Sequence, residues 1–231
     1  MEFNIENYHL KSTALFDYLS VTEKNFIKNK IQRKEFSKGA YLFREKSYPK
    51  GVYVIRKGKV KIFQTNSEGK QSIVYIYKKG DYFGYRPLLA DEAQPVSAVA
   101  MDGVVISFIP KETFKELLEF SGNLANKLLV SLSKEFSVWI NKMTVFSQYG
   151  VKERVALSLL ILNEVYRVSN DNNKKVVINI SRDDFAGFVG TAKETLVRML
   201  RFYKDENMIV SKGTKIILQD EEAIRHLVAG F

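Results

Sequence analysis

The sequence predicts an α+β chain in three parts. These are an N-terminal antiparallel β-roll, a long amphipathic helix, and a C-terminal helix pair followed by a β-hairpin. Three observations carry this. From about residue 32 to 109 the pattern changes to short β-prone runs, the first at 41–43, and Gly58, Gly69 and Gly80 punctuate them 11 residues apart. An apolar seam steps by 4, 3, 4 and 3 from Leu132 through Phe136, Trp139 and Met143 to Phe146. The stretch 180–209 reads as two helices joined by a glycine turn.

Taken in order, residues 13–31 show helical spacing, with Leu15, Leu19, Phe26 and Ile27 apolar among Lys and Asn. Strands are expected at 41–43, 52–55, 60–63, 73–77, 96–100 and 104–109, runs rich in β-branched and aromatic residues. Regular turns between short strands argue a small barrel or roll. Cupins share that outline, but their metal chemistry needs a histidine cluster, which this segment lacks.

Pro110 begins a helix over 111–120, and Gly122 is expected to break it. The long helix spans 123–147, with Leu124 and Leu128 extending the seam backward. Val130, Val138 and Ile140 add apolar positions off the seam, so this helix has faces for both a roll and a twin. Gln148-Tyr149-Gly150 is the expected hinge. The Leu- and Ile-rich stretch 151–166 reads as a core helix, 168–175 as a polar loop, 176–180 as a strand and 220–228 as a last short helix. The expected domains are 1–122, 123–148 and 149–231.

Composition limits the chemistry. The 231 residues suit two modest domains, and no apolar run reaches membrane-spanning length. The chain begins without a basic start and apolar block, so no secretory signal is expected and a cytoplasmic location is the default. Zero cysteines exclude disulfides and thiolate iron–sulfur or zinc sites. Two histidines, His9 and His226, leave no conventional metal or haem site and no catalytic constellation. No cofactor and no catalytic residue is expected. Net charge is +10, yet residues 151–231 carry 13 basic against 11 acidic residues, so charge alone does not locate a nucleic-acid reader. The densest basic stretch is 24–61, with 13 Lys and Arg against Glu35 and Glu45. It reads as a solvated surface, or as an electrostatic flank for bent DNA or an acidic partner.

The C-terminal pattern is the sharpest. Ser181 can cap the first helix, with Asp184 three residues on. Phe185, Phe188 and Val189 give that helix an apolar face, and Gly190 ends it. Thr191 and Glu194 offer a second capping box. Leu196, Met199, Leu200 and Tyr203 form a buried stripe, leaving Lys193, Glu194, Thr195, Arg198 and Arg201 opposite. A helix exposing those residues in its first turns suits the DNA major groove. The runs at 208–210 and 215–218 around Ser211-Lys212-Gly213-Thr214 complete a winged helix.

The stretch 180–218 resembles the DNA-binding end of the Crp/Fnr family of bacterial transcription regulators. The shared pattern is Gly190, then Glu194-Thr195, then Arg198. GVYVIRKGKVKIF, KKGDYFGYRPLLA and PVSAVAMD are similar to that family's cyclic-nucleotide-binding roll, so the resemblance spans nearly the whole chain in order. It implies a homodimer paired through the long helix, with double-stranded DNA and RNA polymerase as partners. By residue-wise match, Lys193, Glu194 and Arg198 would meet base edges, while Ser181, Arg182 and Thr195 would hold phosphates. Lys212 and Lys215 on the wing are weaker candidates for backbone contact. The competing reading is a ligand-sensing module whose DNA-binding domain has lost function. The recognition-helix charges, which are present, weigh against it.

The departures fall in the roll. Cyclic-AMP-binding members carry Glu after the Phe-Gly pair and Arg-Ser before an Ala. Here Tyr85 follows Gly84, and Val96 precedes Ser97-Ala98. Both charged ligand contacts are missing, and a buried phosphate without its cation is costly. Trp139 and Ile140 stand where the resemblance places Thr-Ser for the adenine. The expectation is no cyclic AMP. An unidentified small-molecule effector, where one acts, is expected at Gly84, Tyr85, Arg86, Val96, Ser97, Trp139 and Ile140.

Overall fold

The structure is a computed structural model that describes residues 3–10, 15–167 and 175–229. The polar loop expected at 168–175 lies outside the described residues except for Lys175. The chain divides into two compact bodies. One holds residues 11–64 and 74–135; the other holds 1–10, 65–73 and 136–231.

The first body opens with a 3₁₀ turn at Leu15–Tyr18 and helix α1 at Val21–Lys28. The helical spacing read over 13–31, of which 13 and 14 lie outside the described residues, is thus divided between two short elements. Ser20 explains the break: its hydroxyl accepts the Glu23 N–H while the Glu23 carboxylate accepts the Ser20 N–H. Strands follow as β1 (Gln32–Phe36), β2 (Tyr41–Phe43), β3 (Gly51–Lys57), β4 (Val60–Thr65), β5 (Gln71–Tyr77) and β6 (Tyr82–Phe83). A short helix α2 (Tyr85–Ala90) precedes β7 (Ser97–Ala100) and β8 (Val104–Pro110). Two antiparallel sheets result, ordered β1-β8-β3-β6 and β2-β7-β4-β5. Gly58, Gly69 and Gly80 turn the chain at φ values of 86°, 79° and 97°, the left-handed region that glycine adopts without steric cost.

The inner roll buries Ile55, Ile62, Phe83, Ile106 and Phe108. A second cluster joins Val52, Val54, Tyr82 and Leu88 to Phe114 and Leu117 of α3 (Lys111–Phe120) and to Leu124 and Leu128 of α4 (Gly122–Gln148). The break between α3 and α4 is at Ser121, not Gly122. Ser121 leaves helical geometry, and its hydroxyl then accepts the Leu124 N–H.

Helix α4 carries two stripes. Leu124, Leu128, Glu135, Val138, Lys142 and Val145 recur at helical spacing on its packed side, where all four aliphatic residues are buried. Phe136, Trp139, Met143 and Phe146 of the expected seam are exposed, with Leu129, Val130 and Ile140 beside them. Leu132 differs: it packs partly against the core.

In the second body, α5 (Val151–Tyr166) is apolar around most of its circumference and forms the centre of the core. Strand β9 (Ile178–Asn179), helices α6 (Arg182–Val189) and α7 (Lys193–Asp205), strands β10 (Ile209–Lys212) and β11 (Lys215–Leu218), and α8 (Glu221–His226) follow. The small sheet is ordered β10-β11-β9. Residues 65–73, the tip of the β4–β5 hairpin, belong to this body. The Gln71 carbonyl lies so close to Gly187 of α6 that a Cβ there would sit 2.7 Å from it.

Candidate nucleic-acid interface and ligand cassette

The helix pair forms as its residues dictate. The Ser181 hydroxyl accepts the Asp184 N–H at 3.0 Å and starts α6. Gly190 ends α6 at φ 69°, and the Thr191 N–H donates back to the Ala186 carbonyl. Thr191 does not cap α7 as expected. It is buried in the turn, the N-cap is Ala192, and no side chain caps that helix. Leu196, Leu200 and Tyr203 are buried, Met199 partly so, and the Tyr203 hydroxyl donates to the Lys152 carbonyl of α5 at 2.8 Å. That contact fixes the rotation of α7. Lys193, Glu194, Arg198 and Arg201 consequently face solvent, with Thr195 half-buried beside them.

Arg182 occupies the first turn of α6. One guanidinium nitrogen, Nη1, is buried with no hydrogen-bond partner among the described residues. Arg182 lines an open cavity of about 430 Å³ together with Arg201, Lys204, Asp205 and Ser211. An unmatched buried N–H group is costly, and an anion in that cavity would satisfy it. Lys193 has a partner already: its ammonium meets the Asp183 carboxylate at 3.0 Å. Lys212 and Lys215 flank the wing turn, which Gly213 makes at φ 57°.

Gly84 caps α2 at φ 89°, and a Cβ there would come within 3.0 Å of the Tyr53 ring. Tyr85 is 1% exposed, and its hydroxyl donates to Glu135 of α4 at 3.0 Å. The Arg86 guanidinium reaches the same carboxylate at 3.5 Å while remaining half-exposed. Burial pushes the Glu135 carboxyl up, against the opposing pull of Arg86 and the Tyr85 hydroxyl. The Tyr77 hydroxyl shares the Arg86 guanidinium, and burial pushes it up as well. Ser97 is buried, with its hydroxyl accepting the Glu45 N–H, and Val96 packs on the roll core. The structure therefore brings Tyr85 and Arg86 together on Glu135. Trp139 and Ile140 are exposed on the part of α4 assigned to the second body.

Two family models match in this order: a cyclic nucleotide-binding domain over residues 33–120 and a Crp-like helix-turn-helix domain over 153–227. The chain belongs to the Crp/Fnr family of transcription regulators. Among curated relatives, the fumarate and nitrate reduction regulatory protein of Yersinia pestis is 25% identical over 210 residues, covering 90% of this chain and 84% of that one. The transcriptional activator protein Anr of Pseudomonas protegens is 25% identical over 193 residues, covering 84% and 79%. Among solved structures, FixK2 of Bradyrhizobium japonicum superposes with a TM-score of 0.75 at 20% identity, covering 85% and 96%. A Crp/Fnr-family transcriptional regulator of Thermus thermophilus gives 0.68 at 24%, covering 85% and 97%.

As a Crp/Fnr regulator, the chain is a DNA-binding protein of transcription with a cyclic-nucleotide-binding-like domain, and its relatives are regulators and not enzymes. Three features of its sites are not legible in the sequence alone. The role of Glu135 is one, although an acidic residue on the apolar stripe between Leu128 and Val138 is itself a signal. Lys204 and the Asp183–Lys193 pair became visible only once α6 and α7 were packed together.

Proposed function

We propose that this regulator works as a cytoplasmic homodimer that reads a near-palindromic DNA site through two copies of α7. One observation carries the reading. Leu196, Leu200 and Tyr203 lock one side of α7 into the core while Glu194, Arg198 and Arg201 stand exposed on the other. Arg198 and Glu194 have the chemistry for a G·C pair, since Arg bonds guanine bidentately and a carboxylate accepts from cytosine. Lys193 is the third base-edge candidate. Ser181, Arg182 and Thr195, with the wing residues Lys212 and Lys215, would hold backbone phosphates. The cationic cavity beside Arg182 extends that set to Arg201 and Lys204.

The exposed apolar stripe of α4 supports the dimer. Phe136, Trp139, Met143 and Phe146 are large, apolar and open on one helix face, the pattern of a surface that is covered in use. Two such readers expect half-sites about one helical turn apart, roughly 34–36 Å. Kinship to a transcriptional activator supports RNA polymerase as the further partner. No described helix is long and apolar enough to cross a membrane. The roll is not a cyclic-AMP site in this reading, because Tyr85 and Val96 replace the charged contacts. Selection of bound duplexes from a random DNA pool tests the whole. A two-fold-related consensus is expected, and a pool that shows no enrichment overturns the reading.

A further inference from the structure

We propose that Tyr85 is the roll's own ligand: held by Glu135, it takes the place of a small-molecule effector, so that DNA binding by this chain needs none. The proposal rests on the DNA-binding reading above and concerns how that binding is regulated.

The argument begins with place and burial. Tyr85 is the first residue of α2, directly after the Gly84 turn, where the cassette would present its polar contact to a ligand. Its whole side chain is buried at 1% exposure, and its ring lies 5.4 Å from that of Tyr82. The ring packs with Val52, Val54, Leu88 and Phe114, in the cluster that joins the roll to α3 and α4, as a side chain that cannot diffuse away. Polarity comes next. The Tyr85 hydroxyl donates to Glu135 at 3.0 Å, and Arg86 approaches the same carboxylate at 3.5 Å. A partly buried carboxylate is tolerable only with such donors. A ligand group that took Tyr85's place would have to turn a buried phenol ring out of its cluster and strip Glu135 of a donor. Each step is unfavourable.

Connectivity gives the contact its meaning. Tyr85 and Arg86 belong to α2 of the roll, and Glu135 belongs to α4. All three lie in one compact body. Helix α4 then carries the exposed apolar stripe and ends at Gln148, from where the chain passes through Gly150 into α5. An effector acts on such a helix only by binding one of its positions better than another. A covalently attached tyrosine does the same at an effective concentration that dilution cannot lower.

The test is DNA affinity of the purified full-length chain for its selected duplex, read by fluorescence anisotropy. It is measured alone, with cyclic AMP, with cyclic GMP, and with the deproteinised small-molecule fraction of a bacterial lysate. Wild type is expected to bind tightly alone and to change less than about twofold with any addition. Tyr85→Phe keeps the ring and removes the donor, and it is expected to bind about tenfold more weakly. Tyr85→Ala is expected to be weaker still, with thermal melts reporting whether it folds; the deciding variant is the isosteric Phe. A strengthening of wild type by about tenfold with any addition overturns the proposal. So does Tyr85→Phe binding as tightly as wild type. Failure of wild type to enrich any duplex strikes the DNA-binding reading itself, an outcome distinct from either.

Discussion

The Lys193 ammonium lies 3.0 Å from the Asp183 carboxylate, tying the first residue of α7 to the second residue of α6. Both side chains are at least half exposed, at 51% and 73%, so the pair contributes little to folding. It does hold a base-reading candidate in place and sets a negative charge beside the expected path of DNA. Asp183→Asn should therefore strengthen operator binding by up to about fivefold, the equivalent of a surface ion pair of about 1 kcal/mol. Titrations at several salt concentrations measure it. Weaker binding by the variant would show that Asp183 orients Lys193 for the groove.

Arg198 and Arg182 should fail in different ways. Arg198→Ala should cost about 1–3 kcal/mol and relax preference at one base pair. Arg182→Ala should weaken all duplexes alike and flatten the salt dependence by about one phosphate contact. Competition between the selected site and single-base variants separates the two. A uniform loss on Arg198→Ala would remove it from the base-reading set.

Phe136 is 68% exposed in the isolated chain, so a charge there should leave the fold intact. Phe136→Glu should nevertheless abolish dimers, because it buries an unpaired carboxylate at the expected contact. Light scattering and a melting curve on one sample decide it. A stable dimer with an unchanged melt would move the interface off this stripe.

Calorimetry with millimolar cyclic AMP should show no binding. Tyr85 is buried and bonded to Glu135 where the cassette's carboxylate would stand, and no guanidinium stands at Val96 to meet the phosphate. Micromolar affinity would contradict this account of the cassette.

Lys142 offers a pH test. It sits on the packed stripe of α4, with its ammonium 5.1 Å from the centre of the Phe188 ring. Burial pushes its pKa down from 10.5 to about 8. The unfolded chain then holds that proton more tightly than the folded one, so stability should rise with pH from about 8 to about 9.5, below the tyrosine range. In Lys142→Met the rise should shrink, leaving the part owed to Lys34, which burial and Lys50 also push down. An identical pH profile in both proteins would assign the slope to other groups.

The sequence was most legible where local chemistry and packing agree. Gly190, Ser181 and the stripe Leu196–Leu200–Tyr203 each act through neighbours a few residues away, and the helix pair formed around them. Reading failed where long-range packing decides. Strand β1, Gln-Arg-Lys-Glu-Phe, carries no β-prone run. It is a strand because the edge of a sheet was open to it: β8 supplies its hydrogen bonds, and Lys34 turns its ammonium over the Phe108 ring at 3.6 Å. Thr191 looked like a cap, but Gly190 swings it into the core one residue before the N-cap of α7. Glu135 acquires its role from Tyr85, 50 residues away, a distance no local pattern spans.

Gly187 reverses a familiar rule of protein engineering. A glycine inside a helix costs roughly 1 kcal/mol relative to alanine, so replacing helical glycines is a standard route to heat resistance. Here the missing methyl group is a socket moulded to the Gln71 carbonyl, with only 2.7 Å left for any added carbon. A thermostabilised version of this regulator would have to leave that one weak point in α6 untouched, since the vacancy is what lets the hairpin tip seat.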